Sequence, residues 1–174
     1  AMVCRSRSGA SFSLNTAGAR FETEGEPVEL SQDGFGEARF GQPPAEVLPA
    51  LTRLLGPPEE SGYGPGCFLA GEGHQSWSAQ WGAFGVSGSG FDRDEITVTS
   101  WWLGRGTTSV PVVFPEGLTQ RSTLEEVLGS DPSAERLPRA FGQPGATALA
   151  HGLQFEFDEP GSLLAVRLNP EYCE

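Results

Sequence analysis

Apolar residues fall at two spacings along this chain, and the changes of spacing mark its elements. Val47, Leu48, Leu51, Leu54 and Leu55 recur three and four apart, which gives one apolar stripe on a helix. Pro43 suits the first helical turn, Glu46 sets an acid near the positive helix end, and Gly56, Pro57 and Pro58 stop the helix. Pro49 removes an amide donor from the middle, so a kink or two short helical pieces is predicted. A second helix is predicted within "STLEEVLGSDP", residues 122 to 132. There Ser122-Thr123-Leu124-Glu125 reads as a capping box, Leu124, Val127 and Leu128 form the stripe, and Gly129 and Pro132 end it.

Elsewhere the period is two. "QSWSAQW" (75 to 81) puts Trp77, Ala79 and Trp81 on one face and Ser76, Ser78 and Gln80 on the other. "AFGVS" continues after Gly82, and "GSGFDRDE" reads as a loop. In "ITVTSWWL" (96 to 103), Ile96, Val98 and Trp102 share one face and Thr97, Thr99, Trp101 and Leu103 the other, so Trp102 is predicted in the core and Trp101 on the open side. Leu153, Phe155 and Phe157 alternate with polar residues, as do Leu164, Val166 and Leu168, and "EPGS" between them is a hairpin turn. At the start, residues 1 to 10 read as loose, and "SFSLN" with "ARFETE" predicts a hairpin over 11 to 24.

The resulting order is helix, strands, helix, strands. Superposing Leu55-Gly56 on Leu128-Gly129 gives an offset of 73 residues, at which Leu51, Leu54 and Leu55 match Leu124, Val127 and Leu128. The expected fold is α+β, with two tandem helix-plus-antiparallel-sheet units whose sheets form one curved surface. The expected division is an N-terminal tail over 1–27, a first unit over 28–108 and a second over 109–174.

The phrases "RFGQPPAEVLPALTRLLGPP" (39 to 58) and "STLEEVLGSDP" (122 to 132) resemble the small-lipoprotein family typified by the outer-membrane assembly protein SmpA/BamE. In tandem they are similar to the β-lactamase inhibitory protein fold, which has two such units. "DGFGEARFG" (33 to 41), "CF" (67 to 68), "QWGAFGV" (80 to 86) and the ending "PEYCE" resemble a group of exported proteins from GC-rich Gram-positive bacteria. The likeness covers about residues 30 to 174. It implies a fold and an extracellular or envelope location. Pro49 and the lack of a full Cys pair within the first unit depart from the pattern, and no inhibitory residue of the fold family can be matched to a position here.

Charge narrows the partners. The chain has 11 basic residues, all Arg, against 23 acids, a net charge of -12. Nucleic acid is therefore not expected, because phosphate binding calls for a basic face. The absence of Lys also excludes the lysine-bearing phosphate loop. Three Cys are present. Cys67 follows a Gly-Pro-Gly turn and Cys173 closes the chain, so a Cys67–Cys173 bridge is expected, worth about 4–5 kcal/mol on the loop-entropy argument. The alternative is three reduced thiols. Cys4 stands where a lipid-anchoring Cys would, which allows a membrane tether through the N-terminus, although "AMVC" lacks the small residue expected before such a Cys. The "AM" start is compatible with a trimmed export product.

Catalytic signals are weak. "GVSGS" (85 to 89) misses the nucleophile elbow at its last Gly, so Ser87 and Ser89 read as loop residues. "DRDE" (92 to 95) lacks calcium-loop spacing and reads as a solvated acidic loop. The Cys spacing fits no metal site, and no cofactor is expected. A Trp on an open sheet face supplies large, stiff contact area, so Trp101 is the expected anchor, flanked by Thr97 and Thr99, with Trp77, His74 and Tyr63 as further candidates. The expectation is a monomeric, exported, non-catalytic module that binds a protein or cell-envelope component through that face. The alternatives are a secreted enzyme inhibitor using loop 91 to 95 or 59 to 66, and a hydrolase with an unrecognised site. An exposed aromatic face would favour the first. A protruding ordered loop would favour the second. A pocket holding His74 or His151 with an acid and a Ser within hydrogen-bond reach would favour the third.

Overall fold

The structure, a computed structural model, describes residues 26–66, 70–106, 108–139 and 143–168, together with the backbone of 3–5 and 11–13. Strands β1 (Val3–Arg5) and β2 (Ser11–Ser13) pair antiparallel, with Cys4 opposite Phe12. Residues 11 to 13 thus pair upstream, and the expected downstream partner at 19 to 24 lies outside the described residues. So do Cys67 and Cys173, and with them the expected bridge.

Three two-residue strands follow: β3 (Val28–Glu29), β4 (Gly34–Phe35) and β5 (Ala38–Arg39). Helix α1 spans Pro44–Leu55, with Pro43 as N-cap and Gly56 closing it at a φ of 87°. Contrary to expectation, Pro49 neither splits the helix nor divides it. Pro49 and Ala45, whose carbonyl loses the bond, both lie on the exposed face, where water can satisfy that carbonyl.

Strands β6 (Glu60–Pro65), β7 (Gln75–Trp81), β8 (Phe84–Gly90) and β9 (Ser100–Gly104) then form a meander. The short β10 (Val112–Val113) pairs parallel with β3. Helix α2 (Leu124–Ser130) leads into β11 (Glu135–Pro138), β12 (Ala146–Ala150), β13 (Leu153–Phe157) and β14 (Leu163–Leu168). The capping box is real but one residue later than predicted. Thr123 takes the Glu126 amide and Glu126 takes the Thr123 amide, while the Ser122 hydroxyl accepts from Thr119 instead.

The expectation of two tandem helix-plus-sheet units is overturned. β14 pairs directly with β9, so the main sheet is a single eight-stranded antiparallel one in the order β11-β12-β13-β14-β9-β8-β7-β6. The protein is mostly β, with only two α-helices among the described residues, of 12 and 7 residues. The core is correspondingly one cluster, which takes in Phe84, Trp101 and Leu103 from one side and Phe155 and Val166 from the other. The physical reason is the join between β9 and β14. It leaves the central strands no free edges, and a sheet edge is what separate units would have to protect.

Side-chain direction in β9 also differs from prediction. Ile96 and Val98 are buried, but so are Trp101 and Leu103, while Trp102 is half-buried. The parity changes because residues 96–98 do not belong to the ladder. Val98 bonds instead through its backbone to Gly41 and Gln42. This segment crosses over Gly88, where a Cβ would stand only 1.9 Å from the Thr97 carbonyl oxygen. The chain enters the sheet at Ser100, opposite Ser87, with its alternation reset. In the last strand Leu163 rather than Leu164 is buried with Val166, because the register slips between Glu156 and Phe157.

Candidate functional site

The buried apolar side chains of the main sheet share one face. Trp81, Phe84, Leu103, Val166, Phe155 and Ala148 stand in one cross-strand row beneath the helices, and all six are buried. The opposite face is polar. Its central row runs Gln80, Gly85, Trp102, Arg167, Gln154 and Leu149, each directly opposite the next. Strand alternation dictates this separation, since neighbours along a strand point to opposite sides.

Trp102 occupies the middle of this second face, on the fifth of eight strands. Its indole lies flat against Gly85. A Cβ there would sit 2.0 Å from Cζ2 and 2.5 Å from Cη2 of the ring, so only glycine admits it. Ser78, Gln80, Arg167 and Leu149 are exposed around it, with Ser76, Ser87 and Gln154 half-buried. Arg167, directly opposite Trp102, is held by Glu156, whose carboxylate lies 3.0 Å from its Nε and 3.6 Å from Nη2 of Arg139. Gln154 donates to the same carboxylate at 3.2 Å. An aromatic plate is thereby fixed beside a positioned guanidinium.

The residues expected to form the site are not brought together on this face. Trp101 is buried in the core, where its Nε1 donates to the Ser31 carbonyl at 3.1 Å. Trp77 is likewise core. Thr97 is half-buried and Thr99 exposed, both before the ladder begins. Tyr63 lies on edge strand β6 opposite Trp77, hence on the helix side of the sheet. It is exposed, with the Arg93 guanidinium 4.8 Å above its ring. His74 meets the exposed Phe91 edge-on at 5.1 Å, and its Nδ1 is buried near Gly66 without a hydrogen-bond partner among the described residues. Sequence reasoning missed Trp102, Arg167 and Glu156. The polar half of "QSWSAQW" was the legible trace of this face.

The loops expected for an inhibitor differ too. Residues 60–65 of the 59 to 66 segment are a sheet strand. Residues 93–95 form a 3-10 turn capped by the Asp92 carboxylate on the Asp94 amide at 3.1 Å.

A Ser–His–Asp constellation does exist, assembled from the end of α2 and the β12–β13 turn. Ser130 Oγ is 2.9 Å from His151 Nε2, and Asp131 Oδ2 is 3.9 Å from Nδ1. Its hydrogen bonds describe a clamp. Ser130 Oγ lies 2.8 Å from the Val127 carbonyl and 2.9 Å from Nε2, so its one hydroxyl proton has a backbone acceptor as well as the ring, and the tautomer of His151 sets the direction of the second bond. The 3.9 Å separation is beyond hydrogen-bond reach. Asp131 bonds instead to the His151 backbone amide at 2.7 Å and to Ser133 through its amide and hydroxyl. The His151 amide, followed by the Ser133 hydroxyl and amide, holds the Asp131 carboxyl down at about 2. The clamp secures a two-residue hairpin turn in which His151 and Gly152 both have positive φ, 52° and 71°.

Among the described residues no group of three or more His, Cys, Asp or Glu could hold a metal ion, and no helix is long and apolar enough to cross a membrane. The fold and face together define a class, a mostly β protein whose eight-stranded antiparallel main sheet has one face packed and one polar. No protein-family model, curated protein or solved structure matches the chain.

Proposed function

We propose that this chain is an exported, non-catalytic binding module that engages a protein or cell-envelope component through the polar face of its main sheet. The observation that supports this reading is Trp102, seated on Gly85 at the centre of that face with Arg167 beside it. Trp and Arg are the residue types that dominate binding energy when central and ringed by polar groups. Both are already restrained, Trp102 by the glycine beneath it and Arg167 by Glu156, so little side-chain freedom is lost on contact. The Ser-rich surround excludes no water by itself but supplies hydrogen-bonding groups at the rim.

The test is affinity capture from envelope extract with immobilised wild type, Trp102→Ala and Arg53→Ala, the last altering an exposed residue of α1. Components retained by wild type and Arg53→Ala but lost from Trp102→Ala support the reading. Equal capture by all three contradicts it.

A further inference from the structure

A groove of about 520 Å³ opens where β9 ends and β14 begins, between these strands and the segment leading into α2. Its charge pattern is opposite to that of the molecule. The chain carries 23 acids against 11 Arg, yet the lining holds Arg105 and Arg121 and no carboxylate.

The polar groups there have donors to spare. Arg121 makes no side-chain hydrogen bond or ion pair among the described residues. Arg105 donates from Nε to the Leu163 carbonyl at 3.2 Å and pairs through Nη2 with Asp158 at 2.5 Å, which leaves Nη1 uncommitted. Asp158 is itself engaged by the Ser162 and Gly161 amides. Burial alone would raise its carboxyl, but the Ser162 amide, Arg105 and the Gly161 amide together hold it below the ordinary value. It therefore acts as the anchor that orients Arg105. The Ser122 and Thr123 hydroxyls each accept a backbone N–H, from Thr119 and Glu126, and each keeps its own proton to donate. Beside these donors, the half-buried Leu164 and Ala165 supply an apolar wall, backed by the buried Leu103, Leu163 and Val166.

From this arrangement we infer that the groove binds a small organic anion, with a carboxylate head against Arg121 and Arg105 and an apolar body along Leu164 and Ala165. A donor-rich, acceptor-poor end selects a group that only accepts, and a guanidinium matches a carboxylate with two parallel bonds. The volume lies within the range of small-molecule sites. This site is separate from the Trp102 face, so either can fail without the other.

The experiment is an amide-shift NMR titration of the full chain with 4-phenylbutyrate, its neutral amide 4-phenylbutyramide, and inorganic phosphate. Saturable shifts at Gly104, Gly106 and Ser162 with the carboxylate are expected, with binding of the neutral amide about tenfold weaker or worse, as loss of a charged hydrogen bond implies. Phosphate, lacking the apolar body, should bind more weakly than the carboxylate. Arg121→Gln, at an exposed position, should lose about tenfold in affinity with an unchanged melting temperature. No saturable shift, equal binding of the carboxylate and its amide, or full affinity in Arg121→Gln would each overturn the proposal. Phosphate binding as tightly as the carboxylate would overturn the role given to the apolar wall.

Discussion

Trp101 and Trp102 are neighbours in one strand, yet they belong to different regions of the molecule. Trp101 is enclosed in the core with its indole nitrogen satisfied by Ser31, whereas Trp102 lies on the polar face against a glycine. The packed face is a continuous interior, in which Phe35 meets Phe84 at 5.2 Å and Phe114 meets Phe155 edge-on at 5.6 Å. The polar face replaces such contacts with Ser, Gln and the Arg167–Glu156 pair. The same residue type is core on one side and surface on the other, and only backbone parity decides which.

That contrast can be broken in order of expected effect. Trp101→Ala should cost about 3–5 kcal/mol in denaturant unfolding, because it empties a large buried site and strands the Ser31 carbonyl. Gly85→Val should cost about 1–3 kcal/mol by driving a side chain into the Trp102 ring, and a red-shifted Trp emission would accompany the displaced indole. Trp102→Ala should cost about 1 kcal/mol or less, since the residue is only half-buried, while removing envelope capture.

The clamp at Asp131 gives a pH-dependent comparison within the packed side. Its carboxyl is held at about 2 against an ordinary 3.8, so the folded state favours the ionised form. The stabilisation is therefore fully present above about pH 4 and is lost as pH falls toward 2. Asp131→Asn should lower the melting temperature at neutral pH and converge with wild type near pH 2. A constant difference across that range would mean that the carboxylate charge contributes nothing.

Much of this was legible locally. The α1 stripe, the Trp77/Ala79/Trp81 face and the hairpin turn at Asp158–Ser162 follow from spacing and turn chemistry. Part of the polar face was visible as Ser76, Ser78 and Gln80. What failed required long-range information. Alternation over 96–103 assumes one uninterrupted strand, but the chain joins the ladder only at Ser100, so Trp101 and Trp102 exchanged places. The β9–β14 pairing joins segments some 60 residues apart in sequence, and no local pattern encodes it. Ser130, Asp131 and His151 likewise meet only through the docking of a turn on a helix end.

The most direct test of the two-faced sheet is hydroxyl-radical footprinting of the native chain, with oxidation assigned between the adjacent tryptophans by fragment-ion mass spectrometry. The account predicts rapid labelling of Trp102 and protection of Trp101 until the protein is unfolded. Labelling of Trp101 as fast as Trp102, or protection of Trp102 alone, would contradict it.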